Sequence, residues 1–245
     1  MHRFYIPLVS GETCKLDEEE SKHCVRVLRL KENDEVEITD GKGNLFKAVI
    51  ENAHPKACLL KVGDQHFEPE QSWELIIAVA PTKNMVRMEW LIEKLTEIGF
   101  NKFIPVECSN SERRVIKTDR LNKIAIEAMK QSGRVYLPEI EELVSFEKLI
   151  DKYKSFSGQK FIPHCNSVVS SQSSVVSNME RKSLPSVYKK GENALVLIGP
   201  EGDFTKEEVD MAIENGFIPV SLNEKTLRTE TAALSAAISL KTLNQ

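Results

Sequence analysis

From Trp73 onward, the chain alternates short apolar runs with stretches of helical spacing. The run Glu74–Ala80 is almost continuously apolar, as in a strand that is covered on both faces. The stretch Val86–Ile98 then carries apolar residues three and four positions apart and ends at Gly99. The apolar positions of this helix are Val86, Trp90, Leu91, Leu95 and Ile98. This alternation predicts an α/β fold with a mostly parallel sheet and helices on both faces.

Further strands and helices follow the same rhythm to the end of the chain. We predict strands at Phe103–Cys108, Phe161–Cys165, Ala194–Ile198 and Ile218–Leu222. We predict helices at Asp119–Gln131, from the capping box of Thr205 and Glu208 to Asn215, and at Thr231–Leu243. The Ser-rich stretch of residues 166–186 has no periodicity and is predicted to be a mobile surface loop.

The first part of the chain has a different, β-rich pattern. Two strands, Glu35–Ile38 and Leu45–Ile50, flank a Gly-containing loop and predict a hairpin. A further short strand is predicted at Ala57–Val62, and the polar stretch Asp64–Ser72 reads as a linker. We therefore expect two domains, at residues 1–70 and 73–245.

Composition excludes several classes of protein. The longest apolar runs are far too short to span a bilayer, and the first residues lack the apolar core of a signal peptide, so we expect a cytoplasmic protein without a membrane partner. The five cysteines are widely spaced and form no CxxC pair, so we expect free thiols and no metal site. Net charge is −4 in residues 1–70, +5 in residues 71–190 and −5 in residues 191–245. A basic middle of this kind can present a patch to phosphate.

Three loops follow predicted strands, and ligands of parallel sheets bind at the carboxyl ends of strands. They begin at His164-Cys165-Asn166, at Gly199 and at Asn223. The glycines of the second loop, GPEGDF, allow a tight turn close to a ligand, but this is neither GxGxxG nor a P-loop, and the glycines alone favour a plain strand-to-helix turn. The third loop, LRTETA, taken alone, is equally compatible with a binding site and with a helix cap in which Thr229 or Thr231 is the N-cap. Arg228 and Glu230 are also compatible with a plain surface ion pair.

Taken together, LIGPEGDF and VSLNEKTLRTETAA resemble the SPOUT (α/β-knot) methyltransferases. The closest resemblance is to the ribosomal RNA small subunit methyltransferase E family. It extends over nearly the whole chain, through HCVRVLRLKENDEVEITDGKGN, EWLIEKLTEIGF, SERR and EAMKQSGRVYLPEI. The sequence departs from the family pattern at Asp203 and Asn223, where glycine is common.

The resemblance implies a trefoil-knotted C-terminal domain preceded by a small PUA-like β-barrel, and a homodimer. It implies that S-adenosylmethionine is the cofactor and that N3 of a uridine in 16S ribosomal RNA of the small subunit is methylated. The alternatives are a non-catalytic RNA-binding factor of ribosome assembly and a SPOUT enzyme that acts on transfer RNA. The cofactor-binding residues implied are His164, Leu197, Ile198, Gly199, Pro200, Glu201, Gly202, Ser221, Leu222, Leu227, Arg228, Thr229, Glu230 and Ala232.

The reaction requires that the N3 proton of uridine leave. Glu230 is our candidate base, with Arg228 and Arg134 as candidate stabilisers of the anion. For Glu201, the interpretation as an anion at a helix start is favoured over a catalytic role. For any one basic residue a solvated surface charge is the favoured interpretation, but as a set the basic residues are typical of a phosphate-binding track. The candidate RNA-binding residues are Arg3, Lys22, Arg26, Arg29, Arg113, Arg114, Lys117, Arg120, Lys123 and Arg134.

Overall fold

The computed structural model describes residues 1–164 and 182–245, whose contacts divide the chain into two units. The first unit comprises Met1–Gln71 and Ile126–Leu137, and the second comprises Ser72–Ala125 and Pro138–Gln245. Residues 165–181, which include Cys165 and most of the predicted Ser-rich loop, lie outside the described residues. Among those described, no helix is both long and apolar enough to cross a bilayer.

The first unit is built on a five-stranded sheet with the strand order β1-β3-β4-β5-β2. Its elements are β1 (His2–Tyr5), β2 (Thr13–Lys15), α1 (Glu18–Lys22), a π-helical turn (His23–Val27), β3 (Glu35–Thr39), β4 (Asn44–Asn52) and β5 (Leu59–Phe67). β1 runs parallel to β3, and the other strand pairs are antiparallel. Apolar side chains of the sheet, among them Phe4, Ile38 and Leu60, form its core.

The predicted hairpin of the first unit is confirmed as β3 and β4, where Thr39 pairs with Leu45. The linker prediction is wrong at its start, because β5 continues to Phe67 and pairs there with Asn44. An antiparallel strand can expose one face to water, so a polar stretch can still complete the backbone hydrogen bonds of a sheet.

Residues 126–137 fold with the first unit although they are distant from it in the chain. The backbone N–H of Gly43 donates to the Val135 carbonyl at 3.0 Å, and the N–H of Leu137 donates to the Gly41 carbonyl at 2.9 Å. These two bonds fix the segment against the β3–β4 turn.

The second unit contains a seven-stranded sheet in which every pair is parallel. The order is β12-β10-β11-β6-β7-β8, and β9 also pairs with β7. The strands are β6 (Leu75–Val79), β7 (Lys102–Glu107), β8 (Glu139–Ile140), β9 (Val144–Ser145), β10 (Gln159–Pro163), β11 (Ala194–Ile198) and β12 (Phe217–Val220). The prediction of a mostly parallel sheet is confirmed.

Helices cover both faces of this sheet. They are α2 (Met85–Ile98), α3 (Thr118–Ser132, of which the residues from Ile126 belong to the first unit), α4 (Phe146–Lys152), α5 (Leu184–Val187), α6 (Lys206–Glu214) and α7 (Thr229–Leu243). On one face, Leu149 of α4 and Ala212 of α6 pack with Leu195 and Leu197 of β11. α7 packs against β6, β11 and α2.

Some helix predictions need correction. In α2 the buried apolar residues include Met88, Leu91 and Leu95, whereas Val86 and Trp90 are 67% and 42% exposed. The helix is apolar on more than one side, and spacing alone does not tell which side meets the sheet.

The ends of three other helices also test the predictions. The capping box of Thr205 and Glu208 is confirmed, with both hydrogen bonds present. α7 begins at Thr229, two residues earlier than predicted. The end of the predicted Ser-rich loop instead forms α5, whose first residue, Leu184, is fully buried.

Candidate functional site

Three loops meet at the carboxyl edge of the parallel sheet, where β12, β10 and β11 are neighbours. The loop after β10 begins at His164, that after β11 spans residues 199–205, and that after β12 spans residues 221–228. Because the three strands are parallel, their loops leave from the same edge. The loops border a cavity of about 530 Å³.

The cavity is lined largely by residues that were predicted to bind a cofactor. Those that line it are His164, Ile198, Gly199, Pro200, Glu201, Ser221, Leu222, Leu227, Arg228, Thr229 and Ala232. Residues without a predicted role also line it, namely Pro163, Asp203, Val220, Asn223, Glu224, Lys225 and Thr226. Aliphatic side chains and backbone groups therefore share the wall with a few charged side chains.

Three of the predicted cofactor-binding residues do not line the cavity: Leu197, Gly202 and Glu230. Leu197 is buried in the core with α4 and α6, because successive residues of a strand point to opposite faces of the sheet. Gly202 turns towards Asn110, and a Cβ at this glycine would lie 3.2 Å from the Asn110 Cβ. We expected all three residues in the cavity wall, and none of them lines it.

Glu201 lines the cavity but is not at the start of α6, which begins five residues later. Its Oε1 accepts a hydrogen bond of 3.2 Å from the backbone N–H of Lys83, just before the N-cap Asn84 of α2. The helix-start interpretation is therefore wrong for α6, where Glu207 and Glu208 occupy the first turn.

Asp203 has a backbone φ of +59°, in the left-handed region that favours glycine. This explains why glycine is common here in the family that the sequence resembles. The Asp203 Oδ1 accepts a hydrogen bond of 2.9 Å from the N–H of Phe204, a local bond that helps aspartate to adopt this conformation. Phe204 is buried, and a Cβ at Gly199 would lie 3.0 Å from its ring.

The N-terminus of α7 is joined to the loop after β11 by one buried hydrogen bond. The Thr229 hydroxyl donates to the Gly199 carbonyl at 3.0 Å. The N-cap position is Arg228, which makes no side-chain capping bond. Neither Thr229 nor Thr231 is thus the N-cap, and the Thr229 side chain instead fixes one cavity loop to the other.

A segment that sequence patterns missed lies beside the loop after β12. Ser183 forms a parallel bridge with Ser221, whose N–H donates to the Lys182 carbonyl at 3.0 Å and whose carbonyl accepts from Leu184. Residues 182–184 therefore support the cavity wall at Ser221. No periodicity marks so short a pairing.

The Glu230 carboxylate lies in the first turn of α7, and its side chain is only 9% exposed. Its Oε1 lies 3.7 Å from the Nε of Arg87 on α2. Within the described part of the chain, no hydrogen-bond donor contacts the buried Oε2. Arg87 had no predicted role, because the pairing joins residues that are far apart in the sequence.

The candidate RNA-binding residues of the second unit lie after β7 and on α3. Arg113 donates from Nε and Nη2 to the Lys83 carbonyl at 3.2 and 2.8 Å. Arg114 pairs with Glu107 at 3.2 Å, and Arg120 pairs with Glu89. The remaining two, Lys117 and Lys123, are exposed.

In the first unit, the candidates divide into buried and exposed groups. Arg3 is mostly buried, pairs with Glu37 at 2.8 Å and donates to the Arg134 carbonyl, so it is a structural residue rather than a surface cation. Burial lowers the pKa of Arg134 from its usual range. Arg26 and Arg29 are exposed, and Lys22 pairs with Glu18.

The cysteines of the described residues, Cys14, Cys24, Cys58 and Cys108, are free thiols, as predicted. Burial raises the pKa of the Cys24 thiol to about 12. Within residues 1–164 and 182–245, no cluster of His, Cys, Asp and Glu side chains has the arrangement of a metal site.

Comparison with known proteins decides the family. A model of the RNA methyltransferase domain matches residues 69–241, and one of the RNA methyltransferase PUA domain matches residues 16–63. The chain belongs to the RNA methyltransferase family. The fold expected from the sequence, a PUA-like domain before a SPOUT methyltransferase domain, is thereby confirmed.

Individual relatives match this chain over nearly their whole length. Ribosomal RNA small subunit methyltransferase E of Bacillus subtilis (strain 168) is 30% identical, with 99% of this chain and 97% of the relative covered. The crystal structure of a probable rRNA-methyltransferase from Porphyromonas gingivalis is 40% identical, with a TM-score of 0.87 and 100% and 98% of the two chains covered. Ribosomal RNA small subunit methyltransferase E from Neisseria gonorrhoeae bound to S-adenosyl methionine is 25% identical, with a TM-score of 0.79 and 100% and 98% covered.

The left-handed backbone of Asp203 leads to a prediction about stability. We expect Asp203→Ala to lower the free energy of unfolding by about 1–2 kcal/mol, because alanine loses the side-chain bond and is disfavoured at positive φ. Asp203→Gly should change it by less than about 0.5 kcal/mol, because glycine adopts this conformation freely. Urea unfolding of the three proteins measures the difference, and equal losses in both variants would contradict the explanation.

Proposed function

We propose that this protein is an S-adenosylmethionine-dependent methyltransferase that methylates N3 of a uridine in 16S ribosomal RNA, in the cytoplasm, during ribosome biogenesis. The observation that carries the proposal is the cavity bordered by GPEGDF and LRTETA at the carboxyl edge of the sheet. It has the same place in the fold as the sites of α/β proteins that bind nucleotide-like ligands. The relative from Neisseria gonorrhoeae, which is bound to S-adenosyl methionine, supports the choice of cofactor.

The cavity has a suitable volume for this cofactor, and the side chains that line it have suitable chemistry. A cavity of about 530 Å³ is within the usual range for small-molecule and cofactor sites. Leu222 and Leu227 provide an apolar wall for an adenine ring, and the carboxylates of Glu201 and Glu224 favour a cation. When bound, the cofactor supplies a sulfonium-activated methyl group. The protein must therefore orient the acceptor and manage its proton.

For the proton, we propose Glu230 as the acceptor. Glu230 directly follows Arg228 and Thr229, which line the cavity, and no donor among the described residues occupies its buried Oε2. A carboxylate in such a position can act as a general base. Arg87 keeps a positive charge 3.7 Å from the other oxygen. Arg228, exposed at the cavity, and Arg134 of the first unit are proposed to stabilise the uridine anion.

For the RNA, we propose that exposed cations of both units contact phosphate. N3 lies on the Watson–Crick edge, so the target uridine must be unpaired or flipped before transfer. Single-stranded and looped RNA meets this requirement most readily. The candidates that remain exposed are Lys22, Arg26, Arg29, Arg114, Lys117, Arg120 and Lys123.

We also propose that the protein is a homodimer that associates through α2 and α7. These helices pack together and expose Val86, Trp90 and Ile238, the last 47% exposed. Exposed large apolar side chains on two adjacent helices are a feature of protein–protein interfaces.

The function is tested in two steps. We expect calorimetric titration to show binding of S-adenosylmethionine by the purified chain, whereas a pure RNA-binding factor would give no heat. We expect primer extension on 16S RNA from a deletion strain to lose a stop that returns when the gene is restored, because N3 methylation blocks reverse transcription. A stop that persists in the deletion strain would contradict the substrate, and loss of a modification in transfer RNA would favour the alternative enzyme.

The role of Glu230 is tested by Glu230→Gln, which keeps the shape of the side chain and removes its basicity. We expect methylation to fall by about 10²-fold or more, while the affinity for S-adenosylmethionine stays within about twofold. The matched control is Glu214→Gln, an exposed carboxylate at the end of α6. Full methylation by Glu230→Gln would show that another group accepts the proton.

The dimer is tested by Trp90→Glu, which introduces a charge into the proposed apolar interface. We expect sedimentation velocity to show a dimer for the unmodified chain and a monomer for this variant, because a buried unpaired carboxylate is strongly unfavourable. Val115→Glu, at a residue that is 71% exposed in the loop after β7, should leave the dimer intact. A dimer of unchanged strength in Trp90→Glu would place the interface elsewhere.

A further inference from the structure

The cavity loop GPEGDF is held from outside by residues that do not line the cavity. Two other loops contribute, residues 80–84 after β6 and residues 108–117 after β7. Both leave the same edge of the sheet as the cavity loops, because β6 and β7 continue the parallel order beyond β11. We propose that Asn110 and Arg113 in the second of these loops are positioning residues for the cofactor site, an inference that rests on the function proposed above.

Asn110 holds the far end of the cavity loop by two hydrogen bonds. Its Nδ2 donates to the Gly202 carbonyl at 3.2 Å and to the Asp203 carbonyl at 3.0 Å. One amide group thus satisfies two consecutive backbone acceptors of a turn in which Asp203 has a positive φ. A Cβ at Gly202 would lie 3.2 Å from the Asn110 Cβ, so a side chain at that glycine would require Asn110 to shift by a few tenths of an ångström.

Arg113 holds the near end of the loop through the backbone of Lys83. Its guanidinium donates twice to the Lys83 carbonyl, at 3.2 and 2.8 Å. The N–H of the same residue donates to Oε1 of Glu201, which lines the cavity. The Lys83 ammonium is itself paired with Glu112 at 2.8 Å. The pair with Glu112 is exposed, so Lys83 is held mainly through its carbonyl, and its N–H in turn holds the Glu201 carboxylate.

The two arginines of SERR therefore have different roles. Two of the three guanidinium nitrogens of Arg113 are engaged with backbone, whereas Arg114 is 66% exposed and pairs with Glu107. A planar guanidinium can make both bonds to one carbonyl, and a lysine in its place can make only one. We therefore no longer expect Arg113 to contact phosphate, whereas the exposed Arg114 remains a candidate for such a contact.

The expected effect is on cofactor affinity. A loop with two glycines loses much conformational freedom when a ligand orders it, and anchors that order it beforehand reduce that loss. Asn110 and Arg113 each make two hydrogen bonds to backbone carbonyls, and removing either side chain should cost about the free energy of one or two hydrogen bonds. We therefore expect Arg113→Ala and Asn110→Asp to raise the Kd for S-adenosylmethionine about five- to tenfold, and Arg113→Lys about two- to threefold.

The experiment measures two quantities on the full chain: the Kd for S-adenosylmethionine by calorimetry, and the salt dependence of binding to a small-subunit RNA fragment. Arg113→Ala should change the first and leave the slope of log affinity against log salt unchanged. Arg114→Ala should do the reverse, with a slope smaller in magnitude by about 0.7–0.9.

The outcomes separate this inference from the proposed function. If the unmodified chain binds no S-adenosylmethionine, the proposed function fails and the positioning roles fail with it. If the unmodified chain binds it and Asn110→Asp and Arg113→Lys both bind equally well, only the positioning roles are overturned. These two conservative variants decide the matter even if Arg113→Ala does not fold. A decrease in the salt slope for Arg113→Ala as large as that for Arg114→Ala would assign Arg113 to the RNA instead.

Discussion

The position of β11 in the middle of the parallel sheet is the constraint on which the candidate site depends. All five residues of this strand are buried, and its backbone is paired with β10 on one side and β6 on the other. A strand that is covered on both faces and both edges offers no groups to a ligand until its end. The first residue of β11 that lines the cavity is its last, Ile198, and the loops after the neighbouring strands reach the same place because those strands are parallel.

Much of this arrangement could be predicted because it depends on local sequence. Continuous apolar runs give the strands, the capping box of Thr205 and Glu208 gives the start of α6, and a parallel order brings the loops together at one edge. Most of the cavity wall follows from these three facts. The expected cofactor and substrate come from the resemblance of the loops to a known family, because the spacing of apolar residues gives no information about ligands.

The remainder depends on contacts between residues that are distant in the chain. Spacing along α2 does not show that Trp90 faces away from the sheet, and nothing near Glu230 indicates that Arg87 is its partner. Arg113 and Arg114 are chemically identical neighbours, and only the position of the Lys83 carbonyl distinguishes them. Leu197 was misplaced for a simpler reason, since the residues of a strand alternate between its faces.

The first unit is discontinuous in the chain, and this limits how the protein can be divided. A fragment that ends near residue 71 contains the complete five-stranded sheet but lacks Val135 and Leu137, which bond to Gly43 and Gly41 at the β3–β4 turn. A fragment that begins at residue 72 carries the buried Val135 without Gly43, whose N–H donates to its carbonyl. An excised first unit would therefore have to include residues 126–137, grafted after the sheet through a new linker or supplied as a separate peptide.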